Sequence, residues 1–311
     1  MRGFETGVVK AIIAASLALF LGTFSVSAMA ADVKGPEVCK KCHKAEFAVW
    51  EGTKHAKSYD DITGLDKTEE ILEKLEQDDM EESEICSQCH FTLVEESAEA
   101  GPSCESCHGA AGDWLKVHND YGEAKKAADE SADHKKMRLA KAAEAGMIWP
   151  SARYDAAANC FNCHGMARES LEGDDAAALI AAGHPLNPNF ELVMYSQGSV
   201  RHRFYAPNAG DNAAMTPVEA ARWFVTGAAA SIVQANAALG KTDDGAYQAA
   251  QKARAAKAMA AIGAIKGSVA EAAAFLSDPS EDNARALVGA IADKDLSAAV
   301  GGMLPKAAAY K

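Results

Sequence analysis

No cysteine stands alone in this 311-residue chain, and beyond Ala206 there is neither cysteine nor histidine. Aromatic residues make up only 7% of it, which leaves a thin core for a chain of this length. Long apolar runs are missing too. The stretch from Ala11 to Phe24 has 14 residues, short of the roughly 20 that cross a bilayer, and nothing later is longer and as apolar. Basic charge is in deficit, with 31 lysines and arginines against 44 aspartates and glutamates and a formal net charge of −13. A surface of that sign repels nucleic acid and anionic membranes and steers toward a basic partner. Strand signals are nearly absent, and no fixed-period repeat is found, which excludes a solenoid.

All eight cysteines fall in Cys-x-x-Cys-His runs: Cys39-Cys42-His43, Cys86-Cys89-His90, Cys104-Cys107-His108 and Cys160-Cys163-His164. This spacing is the signature of covalent c-type heme attachment. Two thiols on one turn of backbone reach the two vinyl groups of a porphyrin, and the next residue carries an imidazole under the iron. A zinc ribbon also pairs Cys-x-x-Cys units but has no use for a histidine after every one. Disulfide scaffolds space their cysteines irregularly, and a thioredoxin-like motif occurs once in a βαβ setting. Four heme c groups are therefore expected, with His43, His90, His108 and His164 as proximal ligands. The porphyrins then supply much of the buried apolar surface that the scarce aromatics do not.

Residues 1–30 read as a signal peptide: Arg2 and Lys10 are basic, an apolar stretch follows, and Ala28-Met29-Ala30 offers a small-residue cleavage site. The expected location is periplasmic or extracellular. Residues 31–205 hold the four motifs and every histidine and form the expected tetraheme domain. Residues 206–311 are alanine-rich and form an expected helical bundle without heme. There, Thr216-Pro217-Val218-Glu219 combines an N-cap, a first-turn proline and a capping-box glutamate, predicting a helix to about Leu239. Further helices are expected near 245–265, 268–276, 281–292 and 295–303. The fold class is mainly α, a multiheme cytochrome c domain with little strand followed by a C-terminal helical bundle. The acidic run from Glu69 to Glu84 suits either a solvated helical face or a docking site.

Successive proximal histidines are 47, 18 and 56 residues apart, so the short second step is expected to hold the second and third hemes close. Five other histidines, His55, His118, His134, His184 and His202, compete for four sixth positions. His134 sits in the charged stretch from Asp129 to Lys136 and reads as a solvated helix residue. Met166 and Met194 read as core fillers rather than ligands. An imidazole on both faces makes a closed heme suited to electron transfer, whereas an open face permits substrate binding.

The segment Cys39-Lys-Lys-Cys-His-Lys-Ala-Glu-Phe-Ala-Val-Trp50, with His55-Ala56 after it, resembles the first heme segment of the tetraheme cytochrome c-554 family. Cys104-Glu-Ser-Cys-His-Gly with His118 resembles that family's third heme segment, and Gly183-His184-Pro185 resembles a feature of related multiheme cytochromes. The order of all four motifs over residues 37–205 matches, while the helical tail does not. This resemblance implies that His118 lies opposite His43, that His55 lies opposite His108, and that His202 lies opposite His164. In that family the second heme is five-coordinate; here His184 is an added histidine for the iron of His90, and its pairing is exchangeable with that of His202. The expected function is an electron carrier between redox-protein donor and acceptor, with no catalytic residue assigned. The alternatives are a small nitrogen oxide reductase at an open second heme, and a heme filament capped between subunits.

Overall fold

The computed structural model describes residues 32–205 and 208–311. The expected signal segment lies outside the described residues. Helix dominates, and residues 31–311 make one compact unit. The chain opens with α1 (Pro36–Lys40), α2 (Lys44–Glu51), α3 (Lys54–Thr63), α4 (Asp66–Leu75) and α5 (Glu84–His90). A two-stranded antiparallel hairpin follows, β1 (Thr92–Val94) and β2 (Ser97–Ala100), then α6 (Cys104–His108), α7 (Ala132–Glu144), α8 (Arg153–His164), α9 (Gly173–Ala182) and α10 (Leu192–Ser196). The alanine-rich part supplies α11 (Pro217–Leu239), α12 (Gly245–Ile265), α13 (Ala270–Ser277), α14 (Glu281–Ala290) and α15 (Ser297–Val300).

The start of α11 follows from its first four residues. Thr216 accepts from the Glu219 amide at 3.2 Å while the Glu219 carboxylate accepts from the Thr216 amide at 2.8 Å, and Pro217 fills the position that needs no donor. Small side chains then let α11 and α12 approach closely, and α11 packs along α8. The largest core joins Phe161 of α8 to Ile232, Ile262, Ile265, Phe275 and Leu287 of the later helices. Each of these is fully buried and contributes roughly 1.5–3 kcal/mol. The other clusters are small, such as Leu72, Met80, Cys86 and Phe91 beside the second motif. The helix bundle therefore anchors the fourth motif, while the first three stand on slender cores around a large central cavity.

Candidate heme centres

In the second and third motifs both cysteines and the histidine sit on one helix, α5 or α6, and in the fourth they end α8. Residues three and four apart on a helix share a face, so both thiols and the imidazole point the same way. In the first motif Cys39 lies in α1, with Cys42 and His43 in the turn before α2. One cavity of about 2680 Å³ is lined by all eight cysteines, the four motif histidines, and His55, His118, His184 and His202. Single-ligand pockets run to about 300–1,000 Å³, so this space is sized for several groups.

The histidines face one another in pairs. Ring centres are 6.3 Å apart for His43 and His118, 6.1 Å for His90 and His184, 6.3 Å for His108 and His202, and 5.8 Å for His55 and His164. With metal–nitrogen bonds of about 2 Å and about 1.2 Å from nitrogen to ring centre, two imidazoles on opposite faces of one metal have centres about 6.4 Å apart. The observed spacings fit that geometry. Among the described residues no group of three or more His, Cys, Asp or Glu is placed to hold a metal ion.

The pairs of His118 with His43 and of His184 with His90 agree with the sequence reading. His55 and His202 do not: His55 faces His164 instead of His108, and His202 faces His108 instead of His164. Asn159 of α8 donates to the Ser106 and Cys107 carbonyls at 2.8 and 3.1 Å, pinning the fourth motif beside the third and bringing His164 to the start of α3. That start is fixed by Thr53, which caps the Ala56 amide, and by Trp50, whose indole donates to the Pro102 carbonyl at 2.9 Å. The chain after α10 runs on to the third motif, held by the Asn212 side chain against Arg201 and Arg203.

Imidazole orientation is set by second partners. Nδ1 of His108, His118 and His202 lies 2.9, 2.7 and 2.6 Å from the carbonyls of Ile148, Leu115 and Val200. Donation there puts the proton on Nδ1 and leaves the Nε2 lone pair for a metal. Burial holds His55, His108, His118 and His184 below the ordinary imidazole range and pushes His90 and His164 down to about 4, so the neutral, ligating form is favoured. His184 is presented by the end of α9, where Gly183 adopts φ of +99°, a conformation glycine takes without strain. Phe190 lies flat on the His164 ring at 4.2 Å. Arg138, Arg153, Arg201 and Arg203 line the cavity; Nε of both Arg201 and Arg203 is buried without a partner and suits a heme propionate, while the Arg203 guanidinium is also paired with Glu219 at 2.7 Å.

Contacts between motifs order them in space. Cys39 meets Cys104, Cys89 meets Cys163, and Cys107 lies near Cys160 and Cys163. Among the described residues these thiol contacts join first to third, third to fourth and fourth to second. The 18-residue step between the second and third motifs is taken up by the hairpin. Glu105, inside the third motif, locks the first to it by accepting from the amides of Gly35 and Ala111 at 2.7 and 2.6 Å and from that of Lys34 at 3.0 Å. His134 lines no part of the cavity; rather than being free in solvent, its Nδ1 lies 2.7 Å from Glu130, which also binds Arg138. Met166 packs in a core beside Leu171 and Tyr247.

Two sets of contacts were not foreseen. Arg138 donates to the carbonyl of His118 and so braces that imidazole through the buried Glu130. Tyr247, Gln251 and Arg254 of α12 reach Gly165 and Met166 beside the fourth motif. Polar residues recurring on the otherwise apolar stripe of α12 were the signal for the second set.

A helical chain that gathers paired thiols and facing imidazoles around one cavity is a c-type cytochrome, with covalently bound heme. Residues 38–109, spanning the first three motifs, match the family described as cytochrome c554 and c-prime. The curated cytochrome c-554 of Nitrosomonas europaea is 31% identical over an alignment covering 34% of this chain and 51% of that protein. The chain thus spans about half the length of the relative it matches. Through this segment it is similar to the cytochrome c-554 family. No solved structure matches it significantly.

Proposed function

We propose that this protein is an exported tetraheme electron carrier in which every iron is closed by two histidines. The observation that carries the reading is the set of four facing imidazole pairs, 5.8–6.3 Å apart, each joining one motif histidine to one from elsewhere in the chain. Heme c supplies reversible one-electron chemistry when bound. The chain's own task is to fix the ligands, shield them from water and set the spacing of the attachment points. Their contact order, first, third, fourth, second, leaves the first and second motifs at the two ends of the series. His43 at the first end is half exposed, and the acidic helix α4 lies beside the second, a surface that suits a basic redox partner. Placement of His184 opposite His90 favours the carrier over a reductase with an open second heme.

Intact mass and ligand binding test this together. The purified protein is expected to carry four covalent hemes, and its reduced form is expected to show no Soret change under carbon monoxide. A smaller heme count, or one carbon monoxide bound per protein, would overturn the reading.

A further inference from the structure

Helix α12 carries a charge into the core that no carboxylate answers. Arg254 is 4% exposed and takes part in none of the ion pairs of the described residues. Its guanidinium donates to the Gln251 side chain and, at 3.4 Å, to the Gly165 carbonyl; its Nε is buried without a partner, and Cζ stands 5.3 Å from the centre of the Phe161 ring. Burial pushes it down to about 10, which still leaves it charged at neutral pH. An unpaired cation costs several kcal/mol to bury, so it is a feature to be explained.

Its place is specific. Gly165 follows His164 directly, and a Cβ there would meet both the Arg254 guanidinium and the Phe161 carbonyl, so the bare backbone at the end of the fourth motif leaves room for this side chain. Arg254 and His164 line the same small cavity of about 10 Å³, with Gln251 and Asn187, whereas Arg254 does not line the large cavity. It is therefore not placed as a propionate partner, unlike Arg201 and Arg203. It shares that small cavity with the imidazole of the fourth motif and is held by a helix outside the segment matched to the family model.

We propose that Arg254 is a fixed buried cation that raises the reduction potential of the heme carried by Cys160, Cys163 and His164. This rests on the tetraheme reading above. Reduction adds one electron, taken from an external one-electron donor, to ferric iron and removes one unit of positive charge from the centre. A neighbouring cation opposes the more positive, ferric form, and does so strongly where water is excluded. No proton need move, because the arginine stays charged throughout.

The test is a mediated dithionite titration of the full heme-loaded protein, followed by electron paramagnetic resonance. The component belonging to this heme is marked as the one that His55→Ala converts to high spin. In Arg254→Gln that component is expected to move down alone, its ferric-to-ferrous ratio at fixed potential rising at least tenfold, about 59 mV for a one-electron couple. Arg254→Lys keeps the charge and is expected to stay within threefold of wild type. Gly165→Ala, which crowds the guanidinium and the Phe161 carbonyl without changing net charge, is expected to lower the same component while it stays low-spin, and it decides the matter if Arg254→Gln fails to assemble. An unmoved component in these variants, or a fall in Arg254→Lys as large as in Arg254→Gln, would overturn the inference and leave Arg254 a brace. Fewer than four low-spin components in wild type would overturn the tetraheme reading and the inference with it.

Discussion

Replacing His55 with alanine probes the exchanged pairing of the third and fourth motifs. The His55 ring stands 5.8 Å from that of His164, so under the proposed pairing its loss would remove one of the two imidazoles that would hold that iron and leave the other three pairs whole. Truncating a part-buried side chain costs roughly 1–3 kcal/mol, less than the usual total of about 5–15, so the variant is expected to fold. One iron in four then turns high-spin, and the reduced protein binds one carbon monoxide; added imidazole restores the low-spin spectrum. Double variants identify the iron. His55→Ala with His164→Ala removes both ligands of a single centre and is expected to open one carbon monoxide site. His55→Ala with His108→Ala touches two centres and is expected to open two. The reverse result, two sites and then one, would refute the pairing and restore the arrangement implied by family resemblance.

Three other outcomes are expected. Gly101→Ala would drive a methyl group onto the His55 carbonyl, displacing the start of α3 at a cost of about 1–3 kcal/mol, and a partial high-spin signal without loss of heme would register it. Glu130→Gln removes a carboxylate that hydrogen bonds from Arg138, then His134, hold down from 4.5 to about 2; because the folded form resists protonation, wild type should exceed the variant in thermal stability above pH 4.5 and lose that margin as pH falls toward 2. A margin that persists at the acid end would contradict this. Thr216→Ala removes the cap of α11 and is expected to cost about 0.5–2 kcal/mol in urea unfolding, with the heme spectrum unchanged in the native state.

Local chemistry made some parts of this structure legible. Thr216, Pro217 and Glu219 announced α11, which ends at Leu239 as expected, and the helix expected near 245–265 runs from Gly245 to Ile265. The motif cysteines and histidines carry their chemistry in their spacing, and all of them line one cavity. The hairpin at 92–100 was not legible, because its turn places Glu95 and Glu96 at positive φ where asparagine or glycine would have signalled it. Long-range partners were hidden for a different reason. Whether His55 meets His164 or His108 depends on Asn159 pinning α8 to the third motif across more than fifty residues, a contact with no local pattern. Arg254 was likewise only a charge in an alanine-rich helix until its side chain was set beside Gly165 at the end of the fourth motif.

The most direct test of the account is the ferric electron paramagnetic resonance spectrum of the intact, heme-loaded protein. Eight histidines closing four irons predict low-spin signals alone. A high-spin signal amounting to one heme or more would show that a facing pair of imidazoles does not hold iron, and would contradict the account.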